Sequence, residues 1–178
     1  MHEISPTTIR DLIDRIRGVI DEWHTGGAEF FDFDPPGDDA ETDAALLAYH
    51  NYEGWHYESW MRKTEAEEIA AATRKTFIHN HGRNAAIERI DAAFYAAQRR
   101  GGEYYSETPG TVLDRISIIY LKMKYCDPSD SDRYDALGKQ LEFLSQCVTR
   151  LCEDLLEGKK QIIRIEKVKH FVQEEVLP

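Results

Sequence analysis

The residues best equipped for chemistry lie along two helical stripes. Counting from Leu47 at spacings of four, four, three and four, Asn51, Trp55, Glu58 and Arg62 fall on one face. Further on, Asn80, Asn84, Glu88, Asp91 and Tyr95 share a face beside the apolar Ile87, Ile90 and Phe94. Charged and amide groups at the margin of a core need partners, and antiparallel hairpins would supply them. A turn at 63–67 sets Glu58 near Arg74 or Lys75 and Asn51 near Asn80, and a turn at 101–107 brings Arg115 toward Asp91 and Lys122 toward Asn84 or Glu88. Such a band can form a pocket between the second, third and fourth helices. Arg62, Arg115 and Lys122 would hold the anionic groups of a phosphorylated sugar, nucleotide sugar or nucleotide, and Asn51 and Asn84 would orient it. Glu58, Glu88 and Asp91 would serve as acid, base or magnesium ligands. The same residues can equally be interhelical ion pairs that fix register without doing chemistry.

Other patterns are weaker. Glu53 and His56 have the i, i+3 spacing of di-iron carboxylate bundles, but those need a second such pair and two more glutamates. His79 and His81 point to opposite sides of a helix and cannot chelate one ion, so no histidine metal site is expected. Glu65 and Glu68, followed by Glu88 and Asp91, match the acidic pattern of the all-α nucleoside triphosphate pyrophosphatases. A continuous helix would separate Glu68 from Glu88 by about 30 Å, so that reading needs a kink at Gly82 or a second subunit. There is no nucleophile elbow, Walker loop or dinucleotide fingerprint. Thr108 and Pro109, in the run Glu107 to Thr111, suit the start of a helix, whose free N–H groups could also receive an anion.

These stripes must be carried by helices. The chain of 178 residues has room for one domain, residues 1–178, and its 42% hydrophobic and 31% charged residues are those of a folded protein. Ser5 and Pro6 open a first helix whose stripe is Ile9, Leu12, Ile13, Ile16, Ile20 and Trp23, and Gly26 and Gly27 close it. An acidic, aromatic loop at 28–42 carries Phe30, Phe31 and Phe33 onto the core. A second helix over 43–62 is followed by a long third one that Thr64 and Glu67 cap. The fourth starts at Thr108 and ends near Pro128. The fifth bears a heptad seam, Tyr134, Leu137, Leu141, Leu144, Val148, Leu151 and Leu155, that packs along a helix of this chain or of a second copy. An amphipathic segment at 159–178 ends the chain.

A formal charge of −11 repels phosphate backbones and anionic lipids, so nucleic acid is not expected as a partner. No apolar run reaches the length of a membrane span, and Met1 to Thr8 lack a basic region followed by an apolar stretch, so no leader is expected. Cys126, Cys147 and Cys152 read as buried thiols in a reducing compartment, so the protein is expected in the cytoplasm.

Three runs carry a family resemblance: Trp55-His56-x-Glu58 with Arg62; Arg83-Asn84 with Ile87-Glu88-x-Ile90-Asp91; and the stretch Glu107-Thr108-Pro109-Gly110-Thr111-Val112-Leu113-Asp114-Arg115-Ile116-Ser117. Over about 51–122 the chain resembles the bacterial family called domain of unknown function four-two-five-four. The resemblance implies a small helical cytoplasmic protein whose genes lie among those for glycosyltransferases and surface polysaccharides. Ser59 stands where the family pattern has an acid, and the segment after Gly158 lacks its Tyr- and Lys-rich ending.

The expectation is therefore an all-α, up-and-down bundle of five to six helices, dimeric through its long fifth helix or the neighbouring face. It would bind, and could turn over, a small polar anionic ligand, with no cofactor beyond magnesium. The alternatives are a non-catalytic scaffold associated with surface-polysaccharide synthesis and a magnesium-dependent pyrophosphatase-like hydrolase.

Overall fold

The computed structural model describes residues 4–163 apart from 6, 63 and 64, and only the backbone of Glu67. Pro6, the Thr64 cap, the Glu67 side chain and most of the 159–178 segment thus lie outside the described residues. Among the described residues five helices carry the fold: α1 (Thr8–Gly26), α2 (Ala40–Met61), α3 (Ala66–Ala97), α4 (Pro109–Lys124) and α5 (Ser131–Leu156). Two short strands, β1 (Glu103–Tyr104) and β2 (Lys160–Gln161), pair in parallel, Glu103 opposite Lys160. No helix among the described residues is long and apolar enough to cross a membrane.

Helix ends follow local chemistry. Gly27 takes the left-handed conformation (φ 67°) that stops α1. The Asp39 carboxylate accepts the Thr42 N–H at 2.8 Å, so α2 starts three residues earlier than its apolar pattern indicated. At α4, Thr108 is the N-cap, Pro109 fills the first position, and Thr108 and Thr111 exchange side-chain-to-backbone bonds.

Ile9, Leu12, Ile13, Ile16, Ile20 and Trp23 bury the α1 face, and the α5 seam is buried from Leu137 to Leu155, with Leu144 half-covered and Tyr134 exposed. The seam is filled inside the chain, mainly by α4 with help from α1 and α3, and is not a free dimer face. Phe31 and Phe33 of the loop pack on Trp23, at 5.2 and 5.1 Å between ring centroids.

α3 runs unbroken through Gly82. The glycine there serves packing: a Cβ on Gly82 would overlap the His50 imidazole, so its absence lets α2 and α3 approach closely. Glu68 and Glu88 are then about 30 Å apart, and the two acidic pairs of the pyrophosphatase reading cannot share an ion within one chain.

Candidate functional site

The polar joint of α2, α3 and α4 is smaller than the band read from spacing. Asn51, buried, donates from its amide to Asp114 Oδ1 at 2.9 Å, and Arg83 Nε lies 3.8 Å from the same oxygen. Arg83 is one turn from His79 on α3. On α4, Asp114 shares a face with Ser117, three residues on. Ser117 is fully buried, and its hydroxyl, like Arg83 Nε, has no hydrogen-bond partner among the described residues. Burying such groups unpaired costs about 1–3 kcal/mol each, so the joint holds unspent polar capacity. The Arg83 side chain remains 31% exposed, which opens the joint to solvent.

The other expected site residues sit elsewhere. Glu58, Arg62, Asn84, Glu88, Arg115 and Lys122 are all exposed. Arg115 pairs with Glu107 and not with Asp91. Asp91 instead closes the start of α4: its two oxygens accept the Thr108 hydroxyl and the Gly110 N–H, each at 2.7 Å. A Cβ on Gly110 would press on the Ile87 carbonyl oxygen at 2.7 Å and Asp91 Oδ1 at 2.8 Å, so only glycine leaves room for this joint. The anion that a free helix N-terminus could attract is thus the protein's own carboxylate. Burial pushes the Asp91 carboxyl above the usual range, against the pull of its two donors.

Next to this joint lies a buried cluster that spacing did not identify. Glu53, 1% exposed, accepts the Phe31 N–H at 3.3 Å and stands 4.0 Å from His79 Nε2. The Nδ1 atoms of His79 and His50 are 3.3 Å apart, and Tyr57 stacks on His79. Tyr49 and Tyr52 donate to the carbonyls of Phe31 and Ala28 at 2.7 and 2.6 Å, so three side chains of α2 strap the loop down. Burial pushes the Glu53 carboxyl up to about 7, and the Asp32 charge adds to this against the Phe31 N–H and Lys75. Burial lowers His50 to about 4 and also lowers His79. The cluster can hold a proton near neutrality, but the loop seals Glu53 from solvent and from any substrate.

His56 turns away from Glu53 and accepts or donates at 2.8 Å to the Tyr125 hydroxyl, so the i, i+3 pair does not converge on an ion. Among the described residues no group of three or more His, Cys, Asp or Glu is placed to hold a metal. Glu53 was visible in the sequence only as half of a metal pattern; its real signal was a lone acid among the aromatics of α2. Arg83 and Ser117 stood in the motif runs without a role.

A family model described as "Protein of unknown function (DUF4254)" matches residues 44–136, which span α2, α3, α4 and the start of α5. No curated protein and no solved structure matches the chain.

Proposed function

Since the chain belongs to the DUF4254 family of proteins of unknown function, and the matched region contains the whole α2–α3–α4 joint, we propose that this joint binds a small polar anionic ligand such as a sugar phosphate or nucleotide. Arg83 is the anchor for the anionic group. Asn51, held by Asp114, closes the buried side of the joint. Asn84 and Arg115, each one residue from a joint member, lie at its exposed margin. The observation that supports this reading is the half-buried Arg83 side chain at the open edge of the joint, whose Nε has no hydrogen-bond partner among the described residues and lies 3.8 Å from the carboxylate of the satisfied Asn51–Asp114 pair. No reaction is assigned: Asp91 is occupied at the start of α4, and Glu58 and Glu88 face solvent.

The test is a thermal-shift and calorimetric screen of sugar phosphates, nucleotides and nucleotide sugars, with and without magnesium, on wild type, Arg83→Gln and Ser117→Ala. A ligand at a hundredfold excess over its Kd adds about 2.7 kcal/mol of stability. The reading expects a hit that Arg83→Gln abolishes and that Ser117→Ala, at a hydroxyl sealed inside the joint, leaves in place. It fails if no anionic ligand binds, or if one binds all three proteins alike.

A further inference from the structure

A buried carboxyl with no Lys or Arg paired to it ionises at little cost only where water can reach it. Glu53 is such a group. It is 1% exposed, its hydrogen bond is the long one from the Phe31 N–H at 3.3 Å, and among the described residues its one ion-pair neighbour is His79, at 4.0 Å. Facing it are Lys75 and His79 from α3, Asp32 from the loop, and Tyr49, Tyr52 and Tyr57 along its own helix, while α1 meets this level with the ring of Trp23. Lys75 is exposed and acts on the carboxyl only at range.

What covers Glu53 is the 28–33 stretch of the loop, and side chains hold that stretch in place. The Ala28 N–H bonds the Trp23 carbonyl, but from there to the Asp39 cap the described residues show no backbone–backbone hydrogen bond from the loop to any element. The fixings are the Tyr49, Tyr52 and Thr42 hydroxyls on the carbonyls of Phe31, Ala28 and Pro36, the Phe31 N–H on Glu53, and the rings of Phe31 and Phe33 on Trp23. A glycine with positive φ stands on either side, Gly27 at 67° and Gly37 at 123°, so the backbone has a turning point at each end of the cover. His79, in contrast, is enclosed by Tyr49, Tyr57 and His50, all on α2. Lifting the loop therefore bares Glu53 and leaves the histidine covered.

We propose that the 28–33 stretch is a pH-sensitive lid over Glu53, closed while the carboxyl keeps its proton and lifting about Gly27 and Gly37 as the carboxyl ionises. Covered, Glu53 titrates at about 7, because burial outweighs the Phe31 N–H and the Lys75 charge and Asp32 adds to it; open, it returns toward the 4.5 of a free glutamate. Opening thus releases a proton between those values, so the open fraction rises with pH across them and levels off above 7. From pH 5.5 to 7.5 the rise is about twentyfold. Lifting also carries Asp32 away from the new carboxylate, which acts in the same direction. The lid takes no part in the Arg83 joint, so this inference and the ligand reading can fail separately.

The experiment is amide hydrogen exchange followed by NMR at pH 5.5, 6.5 and 7.5, each rate divided by the intrinsic rate of an unprotected amide at that pH. Expected is a loss of about twentyfold in protection of the Phe31 N–H from the lowest pH to the highest, with no matching loss at Val148 on the buried face of α5. Glu53→Gln should flatten the Phe31 profile. Tyr49→Phe, which removes a fixing but no charge, should lower Phe31 protection by the same factor at every pH. The inference is overturned if Phe31 protection in wild type is constant with pH, if Val148 falls in parallel with it, or if Glu53→Gln keeps the wild-type slope. Should Glu53→Gln not fold, the comparison of Phe31 with Val148 in wild type decides alone.

Discussion

Replacing Glu53 by Gln separates two titrations that offset one another in the native protein. Glu53 titrates at about 7 in the fold against 4.5 for a free glutamate. Between those values the folded chain therefore holds more protons than the unfolded one, and its stability falls as pH rises. His50 runs the other way, at about 4 in the fold against 6.5 free, so the unfolded chain holds the extra proton and stability rises over nearly the same window. At about 1.4 kcal/mol per pH unit of displacement, each is worth up to about 3 kcal/mol, and the slopes cancel to leave stability almost flat from this source. Glu53→Gln keeps an acceptor for the Phe31 N–H but removes the falling limb. Its stability relative to wild type should climb by about 2–3 kcal/mol between pH 4.5 and 7. His50→Gln should show the reverse, losing a similar amount relative to wild type over that range. Urea unfolding followed by circular dichroism at half-unit pH steps measures this as a difference between proteins, so titrations common to both drop out. Parallel stability curves for Glu53→Gln and wild type would refute the assignment of a buried, proton-holding carboxyl.

The remaining predictions concern packing and access. Gly82→Ala should destabilise by about 1–3 kcal/mol, because the new methyl meets the His50 ring, and pairing it with His50→Ala should recover much of that loss in a double-mutant cycle. Asp91→Ala should cost about 1–2 kcal/mol in urea unfolding and raise amide exchange at Gly110, since the start of α4 loses its carboxylate. Gly110→Ala should be worse tolerated than alanine at an ordinary helix start, as its Cβ would press on the Ile87 carbonyl. Of the three thiols expected to be buried only Cys152 is; with a thiol reagent, Cys147, which lies on the outer side of α5, should react at once in the native protein, whereas Cys152, whose thiol burial pushes up, should react only on unfolding.

Much of the architecture was legible because helices announce themselves one face at a time. The α1 stripe, the glycine stop at 26–27, the Thr108 cap and the α5 seam depend on residues within a few turns of one another, and all appear in the structure. The α2–α3 register was also legible: His50 faces Gly82 and Glu53 faces His79, at the levels a turn near 63–67 requires. The rotation about each helix and the reach of its neighbours were not legible. The stripe through Asn51, Trp55, Glu58 and Arg62 is covered up to Trp55, where Tyr125 stacks at 5.6 Å, and past that level Glu58 and Arg62 are exposed. The Asp91 cap and the bond from the Phe31 N–H to Glu53 join residues that no local period relates. Each depends on how a third element, the start of α4 or the 28–33 loop, comes to rest on the hairpin.

The small parallel strand pair has a consequence for the order in which the chain assembles. Glu103 N–H bonds the Lys159 carbonyl at 3.1 Å, and the Gln98 side chain bonds both the N–H and the carbonyl of Ile162, at 2.8 and 3.1 Å. Gly102 admits the Lys159 backbone so closely that no side chain would fit there. These bonds clasp two points of the chain between which the whole α4–α5 excursion is threaded, so closing them early would carry the entropy of a long loop with few contacts in return. The clasp can close cheaply only once α4 and α5 have packed on the hairpin, and its amides should then be the last to gain protection during refolding.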